Sequence, residues 1–302
     1  MNISYDAYRF FYCTAKYRSF TKAAAALGSS QPNVTRAIKN LEQALGCTLF
    51  LRDNRRVELT PEGEMLYRYA SVAFEQLRAG EEAVVQGAGL EGGVLRIAAT
   101  EVALRAFLLP VLARFRREHP GVRLQLFNGA TAAAITEVEN GLADLAFVTT
   151  PADSGARLRK TALLEVQEVA VCGRAYAALA GRALTLAELA AQPIISLSAE
   201  SCTNRFYARL FAAHGLTFVP DIEAATSDQI LPLVRAELGI GFVPAPFLAE
   251  AGAEVLRLRL AEPLPPRQVC MVEAPRRPIG AAAKVLKRLC LETARSRGES
   301  NE

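Results

Sequence analysis

The stretch 19–60, SFTKAAAALGSSQPNVTRAIKNLEQALGCTLFLRDNRRVELT, constrains the chain more than any other. Val34, Ile38, Leu41 and Leu45 recur at helical spacing and form one apolar stripe. Ser30 is placed to cap that helix, Pro32 is tolerated in its first turn, and Gly46 stands where a helix ends in a left-handed residue. The opposite face carries Gln31, Asn33, Thr35, Arg36, Lys39 and Asn40, side chains suited to base edges and phosphates. Just before it, Ala23 to Leu27 predicts a short helix whose small side chains allow a close crossing. Gly28-Ser29 is the tight turn between the two. After it, 49–51 and 57–59 read as short strands with Arg52, Arg55 and Arg56 between them. That is a hairpin wing set against a nucleic-acid backbone or minor groove. Helix, turn, helix and basic wing in this order predict a winged helix-turn-helix.

These residues resemble the N-terminal domain of LysR-type transcriptional regulators. The family pattern is Phe-Thr-x-Ala-Ala-x-x-Leu, Ser-Gln-Pro-x-Val-Thr-x-x-Ile-x-x-Leu-Glu, Leu-Gly-x-x-Leu-Phe-x-Arg and Leu-Thr-x-x-Gly. It falls here on Phe20 to Leu27, Ser30 to Glu42, Leu45 to Arg52 and Leu59 to Gly63, without gaps. The resemblance implies double-stranded DNA as partner, with the helix from Gln31 in the major groove. Gln31, Pro32 and Asn33 would meet base edges. Thr21, Lys22, Thr35 and Arg36 would hold phosphates, and Arg55 or Arg56 would reach the minor groove. Ser30, Lys39 and Arg52 complete the candidate DNA-binding set.

The charge is distributed to match. The chain nets +4, and residues 1–60 hold nine Lys/Arg against four Asp/Glu while the rest hold 26 against 27. At 302 residues, 51% hydrophobic and 22% charged, the composition is that of a soluble protein of two or three domains. No basic segment followed by an apolar one opens the chain, and no apolar run is long enough to span a bilayer. Six scattered cysteines without a Cys-x-x-Cys suit reduced thiols in a cytoplasm rather than a disulfide framework or a zinc site.

Residues 5–17 predict the first helix, with Tyr8, Phe11, Tyr12 and Ala15 on one face. Pro61 opens a long helix to about 87, in which Leu66, Ala70, Ala73, Leu77, Gly80 and Val84 form an a/d seam that predicts pairing with a second copy. In the family this segment is the linker helix that joins two subunits. A small, glycine-rich stretch, 87–93, is a hinge. Beyond it come strands at 94–99, 122–127 and 145–149 with helices at 102–118 and 132–141, an order that implies parallel strands. Further strands are expected at 166–172, 194–197, 219–224, 240–243 and 268–272. Helices are expected at 184–191, 203–214, 230–238 and 279–294, with a frayed tail after Arg295.

The resemblance extends, more weakly, to Val234–Pro244, Val-x-x-x-Leu-Gly-Ile-Gly-Phe-Val-Pro. The architecture it implies is α/β overall. A winged helix-turn-helix domain (1–60) is followed by a dimerising linker helix and hinge (61–91) and a periplasmic-binding-protein-like effector domain (92–302). The effector domain has two subdomains, 92–163 with 267–295 and 164–266, hinged near 163 and 266.

In open α/β sheets ligands lie beyond the carboxyl ends of strands, near helix N-termini. Those places hold Thr100, Glu101, Asn128, Thr131, Thr149, Ser196, Ser198, Ser201, Thr203 and Thr226. Each is equally suited to capping its own helix, but their convergence predicts a small-molecule cleft. By resemblance Thr100, Thr131, Ser198, Thr203 and Thr226 are the effector residues. Glu101 departs from the small polar residue expected for an anionic effector, and points to a cationic or amino-bearing one or to a charge that complements the helix N-terminus.

No Gly-x-Ser-x-Gly, Walker loop or dinucleotide fingerprint occurs. The two histidines, His119 and His214, have no metal-ligand spacing, so no enzyme, metal or cofactor is expected. Cys202 at a helix start offers a redox-sensing alternative, and an assembly-only role for the α/β part is another. The resemblance further implies a homodimer or homotetramer that engages RNA polymerase.

Overall fold

The computed structural model describes residues 3–53, 56–85, 92–153, 155 and 157–299. The chain divides into two compact units, Met1–Val85 and Gln86–Glu302.

In the first unit, α1 (Tyr5–Tyr17), α2 (Phe20–Ala26) and α3 (Gln31–Leu45) close on Phe11, Tyr12, Ala15, Ala24, Val34, Ile38 and Leu41. The α3 stripe is buried through Leu41, and Leu45 is partly covered. α2 starts earlier than the alanine run suggests, because the Ser19 side chain accepts from the Lys22 N–H and fixes the start at Phe20. Ser30 stands at the α3 N-cap in extended conformation, yet its side chain makes no capping bond. Pro32 removes one of the two N–H groups such a cap would serve.

The wing is β1 (Phe50–Asp53) paired antiparallel with β2 (Arg56–Leu59), in the register Phe50 opposite Leu59. Arg55 lies outside the described residues, as do the side chains of Arg52 and Arg56. α4 (Pro61–Val85) is locked to the wing by Thr60. Its hydroxyl donates to the Thr48 carbonyl at 2.7 Å and accepts from the Gly63 N–H at 3.0 Å. A Cβ on Gly63 would lie 2.1 Å from the Leu49 carbonyl oxygen, so no larger residue fits. Glu42 accepts from the Leu49 and Phe50 N–H groups at 2.8 and 3.3 Å and ties α3 to β1. The expected α4 seam is split. Leu66 and Ala70 pack with Tyr67 and Phe74 into the unit's own core. Ala73, Leu77 and Gly80 are exposed, and the Val84 side chain lies outside the described residues.

The second unit is built on two sheets. The first orders as β4-β3-β5-β13-β6, from β3 (Val94–Ala99), β4 (Arg123–Asn128), β5 (Leu145–Thr149), β6 (Arg159–Val166) and β13 (Arg267–Glu273). β3 runs parallel to β4 and β5, as the alternating strands and helices require, while β13 is antiparallel to β5 and β6. β6 was not expected. It keeps the chain in this sheet through Val166, so the first crossing falls at Gln167 rather than near 163.

The strands alternate. Leu95, Ile97, Leu145 and Phe147 face Phe107, Phe115, Leu286 and Leu289, while Ala98, Ala146 and Val148 face Ala134, Ile135 and Val138 of α7 (Thr131–Asn140). The helix expected at 102–118 starts at Glu101 and comprises α5 (Glu101–Ala103), a π turn (Leu104–Leu108) and α6 (Leu109–Glu118). Pro110 has no N–H to offer the Ala106 carbonyl, and Arg297 Nη1 donates to it at 3.1 Å. That bond, with the Arg297 guanidinium 5.7 Å from the Phe107 ring, carries α12 (Ala281–Glu299) past Arg295, so the tail expected to fray is helical to Glu299.

The second sheet orders as β10-β9-β11-β7-β12-β8, from β7 (Glu168–Cys172), β8 (Ala183–Leu184), β9 (Ile194–Leu197), β10 (Ile222–Ala224), β11 (Ile240–Pro244) and β12 (Leu256–Leu260). Its helices are α8 (Ala177–Ala180), α9 (Leu186–Ala190), α10 (Cys202–Ala213) and α11 (Ile230–Arg235). β12 and the 3-10 turn Ala245–Glu250 were not expected. Gly241 lets α11 sit on β11, since a Cβ there would come within 2.6 Å of the Ile230 side chain. The two chain crossings are joined by Gln167, whose Nε2 donates to the Leu264 carbonyl at 2.7 Å.

Candidate functional site

Two places in the molecule gather the residues singled out by the sequence. The first is the outer face of α3. Thr21, Lys22, Ser30, Gln31, Pro32, Asn33, Arg36, Lys39 and Asn40 are exposed and Thr35 is half-buried. The face is oriented from within. The Thr21 hydroxyl donates to Gln31 Oε1 at 3.3 Å, which turns the Gln31 amide N–H outward, and Arg36 Nη2 donates to Asn33 Oδ1 at 3.1 Å. α2 and α3 thus present donors and acceptors that are already positioned, which suits recognition of base edges.

The second place is the cleft between the two sheets. Its base is Arg267, at the start of β13 and 2% exposed. Arg267 donates from Nε to the Thr150 carbonyl at 2.6 Å and from Nη1 to Glu168 Oε1 at 3.0 Å. Nη2 donates to the hydroxyls of Thr149 and Thr203 at 3.0 and 3.1 Å. Glu168, 3% exposed, also accepts from the Tyr207 hydroxyl at 3.1 Å. Burial first, and then the Glu168 carboxylate, push the Tyr207 phenol well above its usual range, so it remains a donor. This network ties the first sheet (Thr149, Arg267) to the second (Glu168) and to its helix α10 (Thr203, Tyr207). Beside it is a cavity of about 20 Å³, room for one water-sized molecule, lined in part by Val102, Ser196, Thr203, Ser227, Phe242 and Arg267. Ser196 Oγ is buried and has no hydrogen-bond partner among the described residues.

The predicted effector residues separate here. Thr149 and Thr203 meet on Arg267, and Thr203 lines the cavity. Thr100 is buried and caps its own helix through the Ala103 N–H. Glu101 accepts from Asn128 Nδ2 at 2.7 Å and lies 3.9 Å from Arg105 Nε. Thr131 is buried at the start of α7, Ser198 is half-buried, and exposed Thr226 forms a capping box with Gln229. At the rim, Arg105 pairs with Glu250 and lies 3.9 Å over the Phe247 ring, a second link between the halves. Sequence reading missed Arg267, Glu168, Tyr207 and Arg105. A charge inside an otherwise strand-like run was the only hint of the first two.

Cys202 opens α10 half-buried, with Arg205 Nη2 3.1 Å from its sulfur. Cys172, Cys270 and Cys290 are buried, and burial raises their thiol pKa values, that of Cys290 to about 12. Among the described residues no group of three potential metal ligands gathers, and no helix is long and apolar enough to cross a membrane.

Comparison with known proteins matches both units. Residues 5–64 match the family model described as bacterial regulatory helix-turn-helix protein, lysR family. Residues 88–295 match that described as LysR substrate binding domain. The chain is 29% identical over 244 residues to the HTH-type transcriptional regulator AlsR of Bacillus subtilis, covering 78% of this chain and 79% of that one. It is 30% identical over 228 residues to the HTH-type transcriptional regulator CysB of Burkholderia cenocepacia, covering 74% and 72%. A crystal structure of CbnR, a LysR family transcriptional regulator, matches with a TM-score of 0.74 at 18% identity, covering 96% of this chain and 99% of that one. Full-length CbnR complexed with its target DNA matches at 0.71 and 18%, covering 97% and 99%.

Proposed function

The chain belongs to the LysR family of DNA-binding transcriptional regulators, and we propose that it reads an interrupted palindrome as an oligomer and is switched by a small molecule in the cleft of its second unit. The observation that carries the DNA reading is the exposed α3 face with Gln31 held by Thr21. α3 lies in the major groove, with Gln31, Pro32 and Asn33 on base edges. Thr21, Lys22, Ser30, Thr35, Arg36 and Lys39 hold phosphates, and the wing arginines Arg52, Arg55 and Arg56 extend to the backbone or minor groove. Pairing through α4 makes a dimer, which two such pairs extend to a tetramer, and sets half-sites about 34 Å or a multiple apart.

The second unit is the effector domain, working in the cytoplasm beside RNA polymerase. Separation or closure of its two sheets about Gln167 and 261–266 is the switch. Thr149 and Thr203, joined through Arg267 across that division, support this reading.

Selection of bound sequences from a random DNA pool with the full chain tests it. Two inverted half-sites at helical-turn spacing are expected, and Gln31→Ala should relax the preference at one or two positions of each half-site. A site without dyad symmetry, or a Gln31→Ala logo identical to wild type, overturns the assignment.

A further inference from the structure

The cleft contains one buried cation, Arg267, and the chain already supplies its counter-charge. Glu168 sits 3.0 Å away, and both side chains are 2% exposed. Each guanidinium nitrogen has a partner within the protein: the Thr150 carbonyl, Glu168, or the pair Thr149 and Thr203. The second Glu168 oxygen is held by Tyr207. The cavity beside the pair is therefore electrically neutral.

Apart from the serines Ser196 and Ser227, its remaining wall is apolar, formed by Val102, Ile195, Leu197, Ile230, Phe242 and Pro244. Among the described residues one fully buried side-chain polar atom lacks a partner, the Ser196 hydroxyl oxygen, in a residue 3% exposed. The rim cation, Arg105, is not free. Glu101 faces Arg105 and Asn128, and Arg105 is paired with Glu250. An anion entering this space would face the Glu168 carboxylate in a low-dielectric wall without a counter-ion of its own, an expensive burial. A hydroxyl or carbonyl oxygen on an apolar body would instead satisfy Ser196 and lose nothing else.

Resting on the reading of this cleft as the effector site, we infer that Glu168 is a built-in counter-ion that makes the site select an uncharged ligand: a small molecule with an apolar body and one hydroxyl or carbonyl oxygen bound by Ser196. Glu168 and Ser196 are then the specificity-determining residues, and carboxylates and inorganic anions are excluded. The cavity, now about 20 Å³, must widen to admit such a molecule.

Three four-carbon compounds test the inference on the full chain at constant ionic strength: butanamide and butanoate are isosteric and differ in charge, and butylammonium carries the opposite charge without the carbonyl oxygen. By calorimetric titration, butanamide should bind wild type at least about tenfold tighter than butanoate or butylammonium, a ratio worth about 1.4 kcal/mol. Ser196→Ala should lose about tenfold in butanamide affinity. Glu168→Gln should reverse the preference by leaving Arg267 open to butanoate. Wild type binding butanoate or butylammonium as tightly as butanamide overturns the inference and leaves the effector cleft standing. Failure of wild type to bind any of the three overturns the inference, and if Glu168→Gln also binds none of them, the effector reading with it. The wild-type comparison decides the matter even if Glu168→Gln does not fold.

Discussion

Thr60, Gly63 and Glu42 show how a short signature does mechanical work. The threonine caps α4 and anchors it to the wing, the glycine lets α4 touch the Leu49 carbonyl, and the glutamate fastens the wing to α3. None of them faces outward to DNA, although each lies in the same run of residues as those proposed to do so. Arg36 does face outward. Arg36→Ala should weaken binding to every sequence alike and reduce the slope of log affinity against log salt by about one, measured by fluorescence anisotropy. An unchanged slope would show that it touches no phosphate.

Glu75 acts on stability instead. Burial raises its pKa, but hydrogen bonds from Tyr12, Arg78 and Lys16 outweigh that and bring it to about 2. Because the folded value lies below the ordinary one, near 4.3, its contribution is complete above about pH 5 and is lost as pH falls toward 2. Glu75→Gln should lower the urea midpoint at pH 7 and match wild type near pH 2, read by circular dichroism. A constant difference across that range would remove the carboxylate as the cause.

At the scale of elements, α4 carries two different faces. Tyr67, Ala70 and Phe74 belong to the core of the first unit, where Phe74 stacks on Tyr12 with ring centres 5.0 Å apart. Met65, Tyr69 and Leu77 are 55, 74 and 49% exposed, an apolar stripe on the outer face of the helix. The expected seam drew Leu66 and Ala70 from the core face and Ala73, Leu77 and Gly80 from the exposed one. A helix with an apolar circumference wider than a two-stranded seam needs can pack on its own domain and still offer a stripe to a second copy. If α4 pairs as proposed, Tyr69→Glu with Leu77→Glu should yield a monomer in sedimentation velocity while α1–α3 stay folded. An unchanged sedimentation coefficient would place the interface elsewhere. The π turn at Leu104–Leu108 is an element no periodicity predicts. It precedes Pro110, which cannot donate to the helix ladder.

For the molecule as a whole, two arginines bridge the sheets of the second unit: Arg267 at the base of the cleft and Arg105 at its rim. Arg267 is deeply buried, so removing it would leave Glu168 uncompensated and destabilise the fold itself. Arg105 is 20% exposed and stacked on Phe247, so its loss should loosen closure without unfolding. Arg105→Ala should speed amide exchange in the turn Ala245–Glu250 by about 2- to 30-fold, the range that a contact of about 0.5–2 kcal/mol implies. Unchanged exchange there would mean that the rim link does not hold the halves.

The sequence alone determined the order of helices and wing in the N-terminal unit, because its stripe, turn glycines and wing are set by contacts within a few turns of chain. It also determined the alternation of strands and helices that makes the first sheet, since burial on both faces writes itself as apolar runs such as Leu145–Thr149. It could not place β6 or β12, whose exposed side chains dilute that pattern. Nor could it tell which polar residue after a strand caps a helix and which meets another chain segment: Thr100 and Thr203 look alike until Arg267 arrives from 64 residues beyond Thr203. The charge pairs that close the cleft, Arg267 with Glu168 across 99 residues and Arg105 with Glu250 across 145, were decided by tertiary structure alone. Only the double crossing of the chain between the sheets brings those groups within hydrogen-bonding distance, and no local pattern encodes which distant charge a buried arginine will find.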